Sequence, residues 1–126
     1  GADNIVIAEH NRLLQEFLLK QYAEGMLICL SSKNNEQSVL DVFTQNQSNM
    51  LLKLEHISKF KINWQLKSEN LADLARELNL DLDSFVFIDD SSLEIAEVEC
   101  SLPQVLCIKM PQNAKEFFHF FLRFFY

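Results

Sequence analysis

Apolar residues follow two patterns along this chain, short unbroken runs and stripes at helical spacing, and the two alternate. Ile5-Val6-Ile7 is a brief β-like run, and residues 1–4 before it are expected to fray. From about Asn11 the spacing turns helical. Leu14, Phe17, Leu18 and Tyr22 share a face, with Gln15, Glu16 and Lys20 outside it, and Gly25 marks the stop. Met26 to Leu30 reads as a buried strand, followed by the polar cluster Ser31-Ser32-Lys33-Asn34-Asn35. A helix over about 36–44 should bury Val39, Leu40 and Phe43. Met50-Leu51-Leu52 suggests a short strand, and the aperiodic stretch from His56 to Leu66 reads as loop.

A helix begins at Ser68, with Leu71, Leu74, Ala75 and Leu78 at i, i+3, i+4 and i+7. Asp81 to Ser84 is a turn into Phe85-Val86-Phe87-Ile88, a continuous apolar run of the kind parallel strands show when both faces are covered. A short helix over 93–98 and a strand over 105–108 follow, and a last helix starts near Asn113. Strands alternating with helices predict an α/β fold, a parallel sheet with helices on both faces. In the last helix Phe117, Phe120, Phe121 and Phe124 form one stripe, while Phe118, Phe125 and Tyr126 lie off it. That is more aromatic surface than one face can bury, so self-association through it is expected.

The 126 residues suffice for one domain with a real core, and 48% are apolar. No apolar stretch is long enough to span a membrane, and no secretory leader is expected. The net charge of -7 argues against nucleic acid and anionic membranes as partners. Cys29, Cys100 and Cys107 are odd in number and lack metal-ligand spacing, which suggests reduced thiols and a cytoplasmic location.

Three polar sets could carry chemistry. Ser32, Lys33 and Asn34, with Asn35, stand where a strand meets a helix, so a hydroxyl and free N–H groups could seat a phosphate; ordinary helix capping is the alternative. Lys67 opens a helix, where the macrodipole disfavours a cation, so anion binding competes with a plain solvated lysine. Asp89 and Asp90 end the apolar run, where they could hold Mg²⁺ or cap the next helix. Hydroxyl, lysine and paired acids are what phosphoryl chemistry requires.

Three segments carry a resemblance: residues 29–35; Ile62-Asn63-Trp64 through Lys67-Ser68-Glu69-Asn70-Leu71; and Glu77-Leu78-Asn79-Leu80 with residues 83–90. Leu102-Pro103-Gln104-Val105 extends it. The chain resembles the haloacid dehalogenase (HAD) superfamily, and within it the FkbH-like branch. The resemblance implies a three-layer Rossmann-like fold. It also implies Ser32 as the phosphate-binding hydroxyl, Lys67 as the catalytic lysine, Lys33 and Asn34 beside the phosphate, and Asp89 and Asp90 as acids at Mg²⁺. The implied activity removes phosphate from 1,3-bisphosphoglycerate and loads the glyceryl unit onto the phosphopantetheine arm of an acyl carrier protein, in polyketide-type biosynthesis. The family's Asp-x-Asp-x-Thr nucleophile motif has no counterpart here; Asp81-Leu82-Asp83-Ser84 precedes a strand rather than ending one. Ser91-Ser92 and Glu94-Ile95 stand where the family has Asn-Pro and Glu-Arg. We therefore expect a partial domain over 1–126 whose nucleophile strand is absent and which is inactive alone. In such a domain the strands ending at Ser32 and Asp89 would pair directly, or Ile5 to Ile7 or a second copy would stand between them. The alternatives are a degenerate module that binds a carrier protein or neighbouring domain, and a phosphatase acting on a small metabolite.

Overall fold

The computed structural model describes residues 4–7, 12–45 and 51–110. Five strands and four helices alternate: β1 (Asn4–Ile7), α1 (Arg12–Ala23), β2 (Leu27–Ser32), α2 (Glu36–Gln45), β3 (Lys59–Ile62), α3 (Lys67–Leu78), β4 (Phe85–Asp89), α4 (Ser92–Ser101) and β5 (Leu106–Lys109). The strands form one sheet in the order β3-β2-β1-β4-β5, every pair parallel. Chain order thus runs outward from β1 to β3, then jumps back across β1 to β4. Such a reversal leaves a crevice at the carboxyl ends of the strands beside it.

The period of a strand divides the core in two. Ile5 and Ile7 of β1 join Ile28, Leu30, Val86 and Ile88 in a layer with Leu14 and Leu18 of α1 and Phe43 of α2. Val6 faces the other way, with Cys29, Phe85 and Phe87, against Leu71 and Leu74 of α3 and Val98 of α4. Both faces of the inner strands are covered, which is why β1 and β4 read as unbroken apolar runs. Gly25 ends α1 as expected: its φ of 98° is the left-handed region that a Cβ disfavours, and Met26 N–H reaches back to Gln21 O at 3.1 Å. No helix among the described residues is long and apolar enough to cross a membrane.

Several expectations are corrected. Of the arrangements considered for the centre of the sheet, the one with Ile5 to Ile7 between the two site strands is found, and direct pairing of those strands is not. Ile5 to Ile7 lies between β2 and β4, with Val6 in register with Cys29 and Phe87. Asn4 is ordered into this strand, and its Nδ2 donates to Ser84 Oγ at 2.9 Å. A strand, β3, stands where loop was expected. Lys59-Phe60-Lys61-Ile62 is too short to show a period, and as an edge strand it keeps two lysines, one of which (Lys61) bonds Glu77 of α3 at 2.6 Å.

No strand forms at Leu51 and Leu52; Met50, expected to start one, lies outside the described residues. Their amides instead donate to Gln15 Oε1 at 2.9 and 3.0 Å. Gln15, expected outside, is therefore buried, while Tyr22, expected on the core face, is 42% exposed. Val39 and Leu40 are only half-buried. The last helix and its phenylalanines also lie outside the described residues.

Replacing Gln15 with Leu keeps the volume but strands two backbone N–H groups. Gln15→Leu should lower stability by about 1–3 kcal/mol, read as a lower urea midpoint. An unchanged midpoint would show that those amides find other partners.

Candidate functional site

β1, β2 and β4 run side by side to one edge. Ile7, the last described residue of β1, pairs with Leu30 and Ile88. Each of those partners is followed directly by a polar residue, Ser31 and Asp89, both buried. Ser31 alternates with Cys29, and Asp89 with Phe87, so both belong to the strand positions that face α3 and α4.

Lys67, the first residue of α3, reaches under this edge. Its side chain is only 5% exposed. The Nζ donates to Ser31 O at 3.2 Å and lies 3.6 Å from Asp89 Oδ2. The Phe87 ring lies below it, 6.0 Å from Nζ to centroid. The solvated-lysine alternative fails, because α3 packs its first turn against the ends of β2 and β4.

Asp89 Oδ1 accepts the Ser91 amide at 3.1 Å, while Oδ2 is buried and accepts no hydrogen bond from the described residues. Burial pushes the Asp89 carboxyl above the usual carboxylate range and the neighbouring Asp90 pushes the same way, against the Ser91 amide and Lys67. Asp90 is exposed. Ser91, not either acid, caps α4 with its side chain, accepting Glu94 N–H at 3.3 Å.

The first polar set divides. Ser32 ends β2, half-buried, and its carbonyl accepts Asn63 N–H at 3.0 Å. Lys33 pairs with Glu94 at 3.0 Å, joining the β2 edge to the first turn of α4. Asn34 Oδ1 accepts the Asn35 amide. The free N–H groups expected at the start of α2 are not all free. Asn35 Oδ1 takes those of Gln37 and Ser38, so for Asn35 the capping alternative holds.

The sequence reading missed Ser31, Asn63, Asn70 and Glu97. Asn70, fully buried, donates to Ser31 Oγ at 3.0 Å and exchanges amide hydrogen bonds with Asn63 at 3.0 and 3.1 Å. A signal existed: Asn70 follows Lys67 by three and precedes Leu74 by four, so it lies on the core stripe of α3. Glu97 accepts Ser68 N–H at 3.0 Å and the hydroxyls of Ser68 and Ser101 at 2.5 and 3.0 Å. Burial would raise its carboxyl, but these donors together hold it below the usual range. No spacing in the sequence announces that contact.

Burial raises the Cys29 and Cys107 thiols to about 11, which leaves them protonated and inert at neutral pH. Among the described residues no group of three His, Cys, Asp or Glu side chains could hold a metal ion. The acids present fit a weaker demand. Mg²⁺ keeps several waters and takes only one or two carboxylates, and Asp89 Oδ2, which faces the Lys67 ammonium at 3.6 Å but accepts no hydrogen bond from the described residues, is a hard oxygen donor of the kind it takes, beside Asp90.

No family model matches the chain, and no curated protein does. Solved structures do. The N-terminal part of protein BF1531 from Bacteroides fragilis, containing a phosphatase domain complexed with Mg, superposes with a TM-score of 0.86 at 25% identity over 96% of this chain.

The fold is HAD-like.

A HAD family enzyme from Bacteroides thetaiotaomicron, complexed with magnesium and inorganic phosphate, matches 84% of this chain and 54% of its own, at 19% identity and a TM-score of 0.64. A predicted HAD-like family hydrolase from Porphyromonas gingivalis matches 94% of this chain and 59% of its own, at 12% identity and 0.68. These three neighbours are thus a phosphatase domain, a HAD family enzyme and a predicted HAD-like hydrolase, and the first two are Mg complexes. This chain spans 39% of the length of the B. fragilis structure.

Lys67 and Asp89 form a buried pair, and removing one partner isolates the other. Lys67→Met should cost about 3 kcal/mol at pH 7. Without the ammonium the Asp89 carboxyl rises further, so the folded state holds its proton more tightly than the unfolded chain. That penalty is full above the folded-state pKa and fades as pH falls through it. Urea midpoints against pH should show the deficit shrinking on acidification; one that stays constant or grows would contradict the pairing.

Proposed function

We propose that this chain carries the phosphate-facing part of a Mg²⁺-dependent HAD-type phosphoryl site. Within that class we propose an FkbH-like protein, which removes phosphate from 1,3-bisphosphoglycerate and loads the glyceryl unit onto an acyl carrier protein. The observation that carries the general reading is the buried Lys67–Asp89 pair at the strand reversal. A buried cation that, among the described residues, donates to one carbonyl and faces a carboxylate is poised to accept an anion. The B. fragilis phosphatase domain, complexed with Mg, supports the same general reading as a structural neighbour; the finer reading rests on the resemblance carried by the segments 29–35, 62–71 and 83–90.

In this reading Lys67 neutralises charge on the phosphoryl oxygens as they move toward the transition state. Ser32 donates its hydroxyl to a phosphate oxygen, and Lys33 and Asn34 line the same side once Lys33 leaves Glu94. Asp89 and Asp90 hold the metal, and Asn70 fixes Ser31, whose carbonyl holds Lys67 in line. Bound Mg²⁺ would supply charge neutralisation at the phosphate.

One observation favours a second reading. β1 occupies the centre of the sheet, yet the residue after Ile7 is Ala8, not the aspartate that would attack phosphorus. A HAD-like module that binds a carrier protein or neighbouring domain without chemistry needs no nucleophile.

The test incubates the full-length protein with Mg²⁺, 1,3-bisphosphoglycerate and a pantetheinylated carrier, and reads the carrier's intact mass and released phosphate. A glyceryl adduct supports the loading reading. Phosphate release without an adduct supports a small-metabolite phosphatase. Neither product, with carrier binding retained, supports the binding module. In an active protein Lys67→Ala and Asp89→Asn should each slow turnover at least about 100-fold; normal turnover in either would remove it from the site.

A further inference from the structure

Lys67 poses a problem that its own helix does not solve. It is the first residue of α3, and the residue before it, Leu66, has no side-chain oxygen with which to cap. The first-turn amides of a helix need acceptors, and their positive end repels a cation. Another helix answers the charge and one of those amides, that of Ser68. Glu97, in the middle of α4, places Oε1 3.0 Å from Ser68 N and Oε2 2.5 Å from Ser68 Oγ, with Ser101 Oγ steadying the same oxygen at 3.0 Å. Ser68 is the second helical residue of α3, where a cap oxygen normally lands. Ser68 itself is buried.

These contacts close a ring. Asp89 Oδ1 holds the Ser91 amide, Ser91 caps α4, and α4 carries Glu97 to Ser68. Ser68 adjoins Lys67, whose Nζ returns to Asp89 Oδ2 at 3.6 Å.

We propose that Glu97 is a positioning residue, a cap supplied by α4 to α3 that holds the Lys67 ammonium against Ser31 O and Asp89. It touches no substrate. Its carboxylate acts through Ser68, by fixing the first turn from which Lys67 extends, and its negative charge offsets the cost of a lysine at that helix end. The consequence for phosphate binding rests on the function proposed above; the positioning of Lys67 does not.

The test reads Lys67 directly. The folded chain is treated with an amine-reactive reagent, and labelling is mapped by mass spectrometry at Lys67 and, as an internal reference, at Lys61. Glu97→Ala should raise Lys67 labelling roughly five- to tenfold, the shift in local opening that loss of a helix cap brings. Lys61, held by Glu77 at the far side of α3, should not change. Glu97→Gln keeps an acceptor for the Ser68 amide and should hold Lys67 within about threefold of the parent. Should Glu97→Ala not fold, Ser68→Ala removes one of the two bonds to Ser68 and should still raise labelling at Lys67 alone.

Unchanged Lys67 labelling in a folded variant would overturn the proposal. So would a rise shared equally by Lys61, or Glu97→Gln labelling as fast as Glu97→Ala. Binding of inorganic phosphate with Mg²⁺ by the unaltered protein is measured separately. Its absence would sink the phosphoryl-site reading and leave the labelling result to decide on Glu97.

Discussion

Parallel pairing of β1 with β2 on one side and β4 on the other is the constraint from which the rest of the structure follows. Four residues of backbone, all buried, hold the sheet together at its centre. Their pairing sets how far β2 and β4 stand apart, and so where Ser31 and Asp89 emerge. It also splits the core into two layers, because Val6 turns one way while Ile5 and Ile7 turn the other. Without β1, α3 would have no fixed pair of strand ends across which to stretch Lys67.

The polar edge is built on that frame by contacts between elements distant in sequence. Lys67 of α3 meets Asp89 of β4 and the carbonyl of Ser31 of β2. Asn70 ties α3 to Ser31 and, through Asn63, to the turn after β3. A buried charged pair stabilises weakly in itself but is expensive to break, so this arrangement resists partial loss more than it contributes to folding. The raised Asp89 carboxyl reflects the same low-dielectric setting, with burial outweighing the Ser91 amide and the Lys67 charge. That setting suits a group awaiting an anion or a cation, the property on which the proposed phosphoryl function depends.

Much of this was legible in the sequence, and the boundary of legibility is physical. Phe85 to Ile88 announced a doubly covered strand, and the structure buries all four. Leu71, Leu74 and Ala75 announced the buried face of α3, and Gly25 its role as a stop. Lys67 and Asp89 were picked out separately by position, one at a helix start and one at a strand end, and the fold brings them within 3.6 Å. What pattern could not give was pairing. Ile5 to Ile7 was visible as a β-like run, but hydrophobicity does not say between which strands a run inserts. β3 escaped because an edge strand of four residues keeps its lysines. Gln15 and Glu97 escaped because each is fixed by backbone amides of another segment, a demand that leaves no trace in spacing.

The central claim is that β1 sits between β2 and β4, and cross-strand nuclear Overhauser effects in the labelled chain test it most directly. The account predicts contacts from the Val6 backbone to Cys29 on one side and to Phe87 on the other, in the parallel registers given above. Direct backbone contacts between Cys29 and Phe87, with none from Val6 to either, would place β2 against β4. That result would contradict both the sheet order and the geometry of the site built on it.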